Sequence, residues 1–184
     1  MSTEFFNDQW RIPSNENQNK VSNYSMEFDG TNQSINLGSN FPYPSTVTDP
    51  WSVSFWIKRN ETNSSGYIFS TYEASSTTGI FVGLRGSNTT GTIQGLLRGS
   101  TSGQYSAVKT NNAILLNGWT HVVVVYNGSP ASSNSGFTIY FNSSSEALTP
   151  FGSPGQTGSL INSSDKYIGQ REDNSNYLTN CVRS

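Results

Sequence analysis

The sequence predicts an all-β fold, an antiparallel sandwich or barrel, on three observations. Short runs that alternate apolar and polar residues recur along most of the chain, separated by clusters of Ser, Thr, Asn, Gly and Pro. No stretch carries the period of an amphipathic helix. The run Thr120 to Tyr126 is made wholly of strand formers, entered through Asn117-Gly118 and left through Asn127-Gly128. Asn-Gly accepts the positive backbone angles of a tight turn, so this strand is punctuated at both ends. His121, Val123 and Val125 share one face of it, Val122, Val124 and Tyr126 the other, and both faces are largely apolar. That places the strand inside a layered structure rather than at a wet edge.

The elements follow in order. Residues 1 to 22 read as an N-terminal arm, because Ser14 to Lys20 is polar and without period while Phe5, Phe6, Trp10 and Ile12 stand before it. Such an arm is a candidate for docking, onto a partner or back over its own domain. Residues 23 to 184 form the body. Tyr24, Met26 and Phe28 alternate with polar neighbours, Asp29-Gly30 turns the chain, and Ile35 and Leu37 resume the alternation. Trp51, Val53, Phe55 and Ile57 take one face of a strand and Ser52, Ser54, Trp56 and Lys58 the other. Strands are expected at Tyr67 to Ser70, Gly79 to Arg85 and Thr92 to Arg98, with a weaker one at Tyr105 to Val108. Ala113 to Leu116 is a turn, Phe137 to Phe141 alternates again, and Tyr167-Ile168-Gly169 is short. Trp51 and Trp119 begin strands in apolar company and are expected in the core.

Composition excludes several function classes. The formal net charge is -2 and the ten Lys and Arg residues are scattered, which argues against nucleic-acid binding. No apolar run is long enough to cross a bilayer as a helix. Met1 to Trp10 lacks the basic and apolar regions of a secretory signal, so synthesis and retention in a cytosol, or export within a particle, is expected. Cys181 is the one cysteine, which rules out an internal disulfide or a cysteine metal cluster and reads as a free thiol. Repeated Asn-x-Ser/Thr triplets follow from an Asn-, Ser- and Thr-rich composition.

Five blocks in order carry a family resemblance. Met26-Glu27-Phe28-Asp29-Gly30 with Ile35-Asn36-Leu37-Gly38 resembles the "F-D-G … hydrophobic-x-L-G" opening of laminin-G-like domains with the concanavalin A-like jelly-roll fold. Trp51 to Lys58 resembles their "F-S-I-S-x-W-hydrophobic-K" strand. Gly118 to Val122 with Tyr126-Asn127-Gly128 resembles "G-W-x-H-V … Y-D-G". Tyr140-Phe141-Asn142 stands for "Y-hydrophobic-N-G", and Tyr167-Ile168-Gly169 for "hydrophobic-x-I-G". The resemblance implies a jelly-roll β-sandwich. The chain departs from the pattern at its end, where Leu178 to Ser184 is either a shortened closing strand or a gap that another subunit fills by adding a strand. The arm and the Asn/Ser/Thr-rich surface resemble domains of tailed-phage virion proteins.

The residues argue for binding over chemistry. Jelly-roll glycosidases carry Glu-x-Asp-x-x-Glu, in which carboxylates protonate the leaving group and attack or activate water. Glu27-Phe28-Asp29 begins that spacing, but Asn32 stands where the last Glu would fall. A Ser-His-Asp triad would need His121, the sole histidine, which among valines reads as a packed residue with one hydrogen bond. Calcium takes about six to eight oxygen ligands, and Asp29 with Asn32 offers two in one turn, while Asp49, Asp165 and Asp173 lie in other loops. No cofactor is required, and calcium is the candidate metal. Sugars stack on aromatic rings, so Trp56, Tyr72 and Tyr105 are the candidate glycan contacts, Trp56 having a ring covered by a loop as its alternative role. The expected function is a non-enzymatic virion protein, capsid-decorating or fibre-associated, acting as a homo-oligomer with virion partners or glycans. The alternatives are a free-standing carbohydrate-binding module and a degenerate glycoside hydrolase.

Overall fold

The structure, a computed structural model, describes residues 25–61, 65–73, 78–85, 91–100, 105–129, 136–153, 157–171, 177–179 and 181–183. The arm proposed for residues 1–22 lies outside them, as does the side chain of Cys181. Thirteen strands run through the described residues: β1 (Met26–Phe28), β2 (Ile35–Gly38), β3 (Trp51–Arg59), β4 (Gly66–Ser70), β5 (Gly79–Arg85), β6 (Thr92–Arg98), β7 (Ser106–Ala113), β8 (Trp119–Tyr126), β9 (Phe137–Phe141), β10 (Ser144–Ser145), β11 (Leu148–Pro150), β12 (Lys166–Ile168) and β13 (Cys181–Arg183). They form two antiparallel sheets, one of six strands in the order β1-β13-β3-β8-β9-β10 and one of seven in the order β11-β7-β6-β5-β4-β12-β2. This is the antiparallel sandwich that the alternating runs allow, and the jelly roll that the family resemblance implies.

The core lies between the sheets. On the six-stranded side Phe55, Ile57, Val122, Val124, Tyr126, Ile139 and Phe141 point inward. Ile68, Ile80, Val82, Leu84, Ile93, Leu97 and Val108 meet them from the seven-stranded side. Gly95 lets the opposite sheet come close: a Cβ there would lie 2.9 Å from the Phe137 ring. Tyr126 is buried, and its hydroxyl donates to the Val47 carbonyl at 2.8 Å. β8 runs between β3 and β9, so the expected central placement holds. Asn117 (φ 57) and Gly128 (φ 85) supply the turn angles expected at its two ends.

Two expectations resolve differently. Trp119 is not core. It pairs with Lys58 on the outward side of the sheet and is 40% exposed. Strand parity decides this: Thr120 and Val122 take the inward positions, so Trp119 and His121 face out. The C-terminal question is settled by pairing. β13 lies between β1 and β3 and is hydrogen-bonded to both, so residues 181–183 form a paired strand of the six-stranded sheet.

Candidate functional site

Because the core takes Ile80, Val82 and Leu84, alternation turns Phe81, Gly83 and Arg85 of β5 to the outside of the seven-stranded sheet. Gln94, Leu96 and Arg98 of β6 lie beside them, and Ala107 and Lys109 of β7 beyond. A register shift in β4 between Tyr67 and Phe69 keeps Tyr67 opposite Gly83, on this same face. With no side chain on Gly83, Tyr67 lies flat on Phe81, ring centroids 4.2 Å apart and planes 13° from parallel. Tyr72 meets the edge of the Phe81 ring at 6.2 Å. Tyr72, Phe81, Leu96 and Ala107 form a second buried cluster, with Tyr67, Tyr105 and Phe151 packed against it.

Cations roof this aromatic patch. The Arg85 guanidinium lies 4.1 Å from the Phe151 ring centroid, and that of Arg98 lies 5.9 Å from Tyr105. Arg98 also donates to the Tyr72 hydroxyl at 3.4 Å. Guanidiniums over ring faces are attracted by the ring quadrupole while keeping outward donors. Beside the patch a pocket of about 180 Å³ opens, lined by Ser65, Gly66, Tyr67, Leu84, Arg85, Gln94 and Tyr177. Its described lining combines aromatic surface, a guanidinium, an amide and hydroxyls, with no Asp or Glu among the described residues. Such a wall stacks against a flat apolar face and bonds to hydroxyls around it.

The structure thus brings Tyr72 and Tyr105 to one face through Arg98, and puts Trp56 on the other sheet. Trp56 is 47% exposed, not covered by a loop, and lies against His121 with centroids 5.0 Å apart and planes tilted by 35°. His121 Nε2 lies 2.8 Å from Ser54 Oγ, the one hydrogen bond expected of its ring. Leu115 and Leu116, 57% and 43% exposed, lie in the loop that leads into β8 and Trp119. Asp29 and Asn32 are both exposed, and Asp29 Oδ1 accepts the Thr31 amide at 2.8 Å, closing its own turn. Asp49 likewise accepts the amides of Ser45 and Thr46, which hold its carboxyl below the usual range, and Asp165 accepts from Asn36. Among the described residues no group of three or more His, Cys, Asp and Glu is placed to hold a metal ion. Asp173 is outside them.

Sequence reasoning missed Tyr67, Arg85, Gln94 and Arg98. A signal for the patch itself was present: Gly79 to Arg85 is apolar at nearly every position, which a one-sided strand does not need. The second apolar face is the aromatic patch.

Residues 29–182 match the family described as the concanavalin A-like lectin/glucanases superfamily. No curated protein sequence matches the chain. Among solved structures, the LG1-3 region of the laminin alpha2 chain is similar at 16% identity and a TM-score of 0.58, over 86% of this chain and 30% of that one. A native heptameric SAP-like pentraxin from Limulus polyphemus is similar at 19% identity and a TM-score of 0.50, over 86% of this chain and 72% of that one. At these identities the likeness is one of fold. A polysaccharide lyase of family 18 shares 14% identity over 80% of this chain and 68% of that one, at a TM-score of 0.43, and carries no argument.

Proposed function

Because this chain belongs to the concanavalin A-like lectin/glucanases superfamily, we propose that it is a non-catalytic saccharide-binding domain, its ligand seated on the outer face of the seven-stranded sheet. The observation that carries this reading is the pocket where Tyr67, held flat on Phe81, stands with Arg85 and Gln94 around about 180 Å³. The stacked ring offers a pre-oriented platform for the apolar face of a sugar. Arg85 donates and Gln94 both donates and accepts, which matches the hydroxyls at a sugar's edge. A glycan array followed by calorimetry on the best saccharide tests it. Tyr67→Ala and Gln94→Ala are each expected to weaken binding about tenfold or more, roughly 1.4 kcal/mol or above. Trp56→Ala is expected to leave it unchanged. Loss of binding in Trp56→Ala alone would move the site to the opposite sheet.

One observation favours an additional role. Trp56, Trp119, Leu115 and Leu116 are all at least 40% exposed, and together they offer apolar surface for attachment. The virion role, with Phe5, Phe6, Trp10 and Ile12 as anchor and the saccharide site turned outward, is the form of attachment we favour. The native mass of the purified chain, with and without residues 1 to 22, tests it. One monomer mass in both cases would argue against attachment between copies.

A further inference from the structure

Lys166 opens β12, yet it is 0% exposed. A buried ammonium is costly unless oxygens replace its water. Here they do. Lys166 Nζ donates to Asn162 Oδ1 at 2.9 Å, to the Asn162 carbonyl at 3.3 Å and to the Ser164 carbonyl, and lies 4.9 Å from the Tyr43 ring centroid. Burial lowers its pKa, while the charges of Glu73 and Asp165 act the other way and favour the ammonium form.

Each partner is tied to another part of the fold. The Asn162 amide donates to the Tyr43 hydroxyl at 2.8 Å. Its Nδ2 donates to the carbonyls of Thr71 at 2.8 Å and Thr78 at 3.2 Å, the two sides of the β4–β5 connection. Ser164 Oγ donates to Glu73 Oε1 at 2.6 Å. Around one point charge therefore meet Tyr43, Asn162 and Ser164, and through them Thr71, Glu73 and Thr78 on the two sides of the β4–β5 connection. Backbone carbonyls and a side-chain amide oxygen, with carboxylates nearby, are the donors that hard cations take in proteins.

We propose that this is a cation site whose cation is the chain's own Lys166 ammonium, and that without the side chain it accepts a small alkylammonium ion from solution. The proposal does not depend on the saccharide reading, and its readouts are independent of ligand binding. Lys166→Ala should lower the thermal midpoint by roughly 5–10 °C. Added n-propylammonium, which replaces the lost atoms, should raise the variant's midpoint in a saturable way while leaving the wild type unmoved. The neutral isostere 1-propanol should not. Equal recovery with 1-propanol, no recovery with either, or a variant as stable as wild type would each overturn the proposal. Should Lys166→Ala fail to fold, nitrogen-15 lysine spectra of the wild type decide. A slowly exchanging Nζ ammonium at neutral pH supports the site. A neutral amine, or exchange as fast as that of surface lysines, refutes it.

Discussion

Tyr126 shows how much one side chain does in a sandwich of this size. Its ring fills the interior beside Trp51 and Phe137, and its hydroxyl fastens β8 to the Val47 carbonyl. Burial pushes the phenol from 10.0 up to about 12. The folded state therefore holds this proton at pH values where the unfolded chain has lost it. The associated stability is complete below pH 10 and is lost as pH rises from 10 toward 12. Absorbance at 295 nm should show one tyrosine ionising late, with unfolding. Tyr126→Phe should remove that part of the alkaline loss, which separates it from Tyr43 and Lys166, and should cost about 1 kcal/mol at neutral pH for the missing hydrogen bond. An unchanged alkaline profile in Tyr126→Phe would assign the loss to other groups.

At the scale of elements, the β9–β10 hairpin carries local strain. Its two-residue connection puts Asn142 at φ 47 and Ser143 at φ 72, both left-handed, as a tight hairpin matching the strand twist requires. Asn tolerates that region and Ser does not, at a cost of about 1–2 kcal/mol. The family pattern places Gly at the second position. Ser143→Gly is therefore expected to raise stability by about 0.5–1 kcal/mol after glycine's added chain entropy, read as a higher urea midpoint at unchanged slope. A lower midpoint would mean that the Ser143 side chain contributes more than its backbone angle costs. The same scale explains β5. Its inner residues belong to the common core, and its outer residues build a second one, so a single strand serves both stability and the proposed site.

For the molecule as a whole, the decisive join is β13. It inserts between β1 and β3, so the last described strand closes the sheet begun by the first. Buried ladder groups without partners are costly, and an opened edge invites pairing with other chains. A chain ending at residue 179 is expected to lose on the order of 3–5 kcal/mol and to self-associate. Denaturant unfolding and sedimentation check both effects. Wild-type stability and a monomer mass in the shortened chain would show that β1 re-pairs with β3 unaided.

The sequence by itself determined the all-β class, the inward residues of β3 and β9, and the turns at Asn117, Gly30 and Gly128, while β8, apolar on both faces, left its inward side open. These depend on a period of two and on backbone angles that few residues accept, which are local properties. Strands as short as Ser144–Ser145 and Leu148–Pro150 left no period to read. Only the tertiary structure decided that Tyr72 and Tyr105 share a face while Trp56 lies on the other sheet. Only it made a buried cation of Lys166 and turned Trp119 outward. Those outcomes depend on which strands become neighbours, and that is set by the closing of two sheets over a common core, which no single segment encodes.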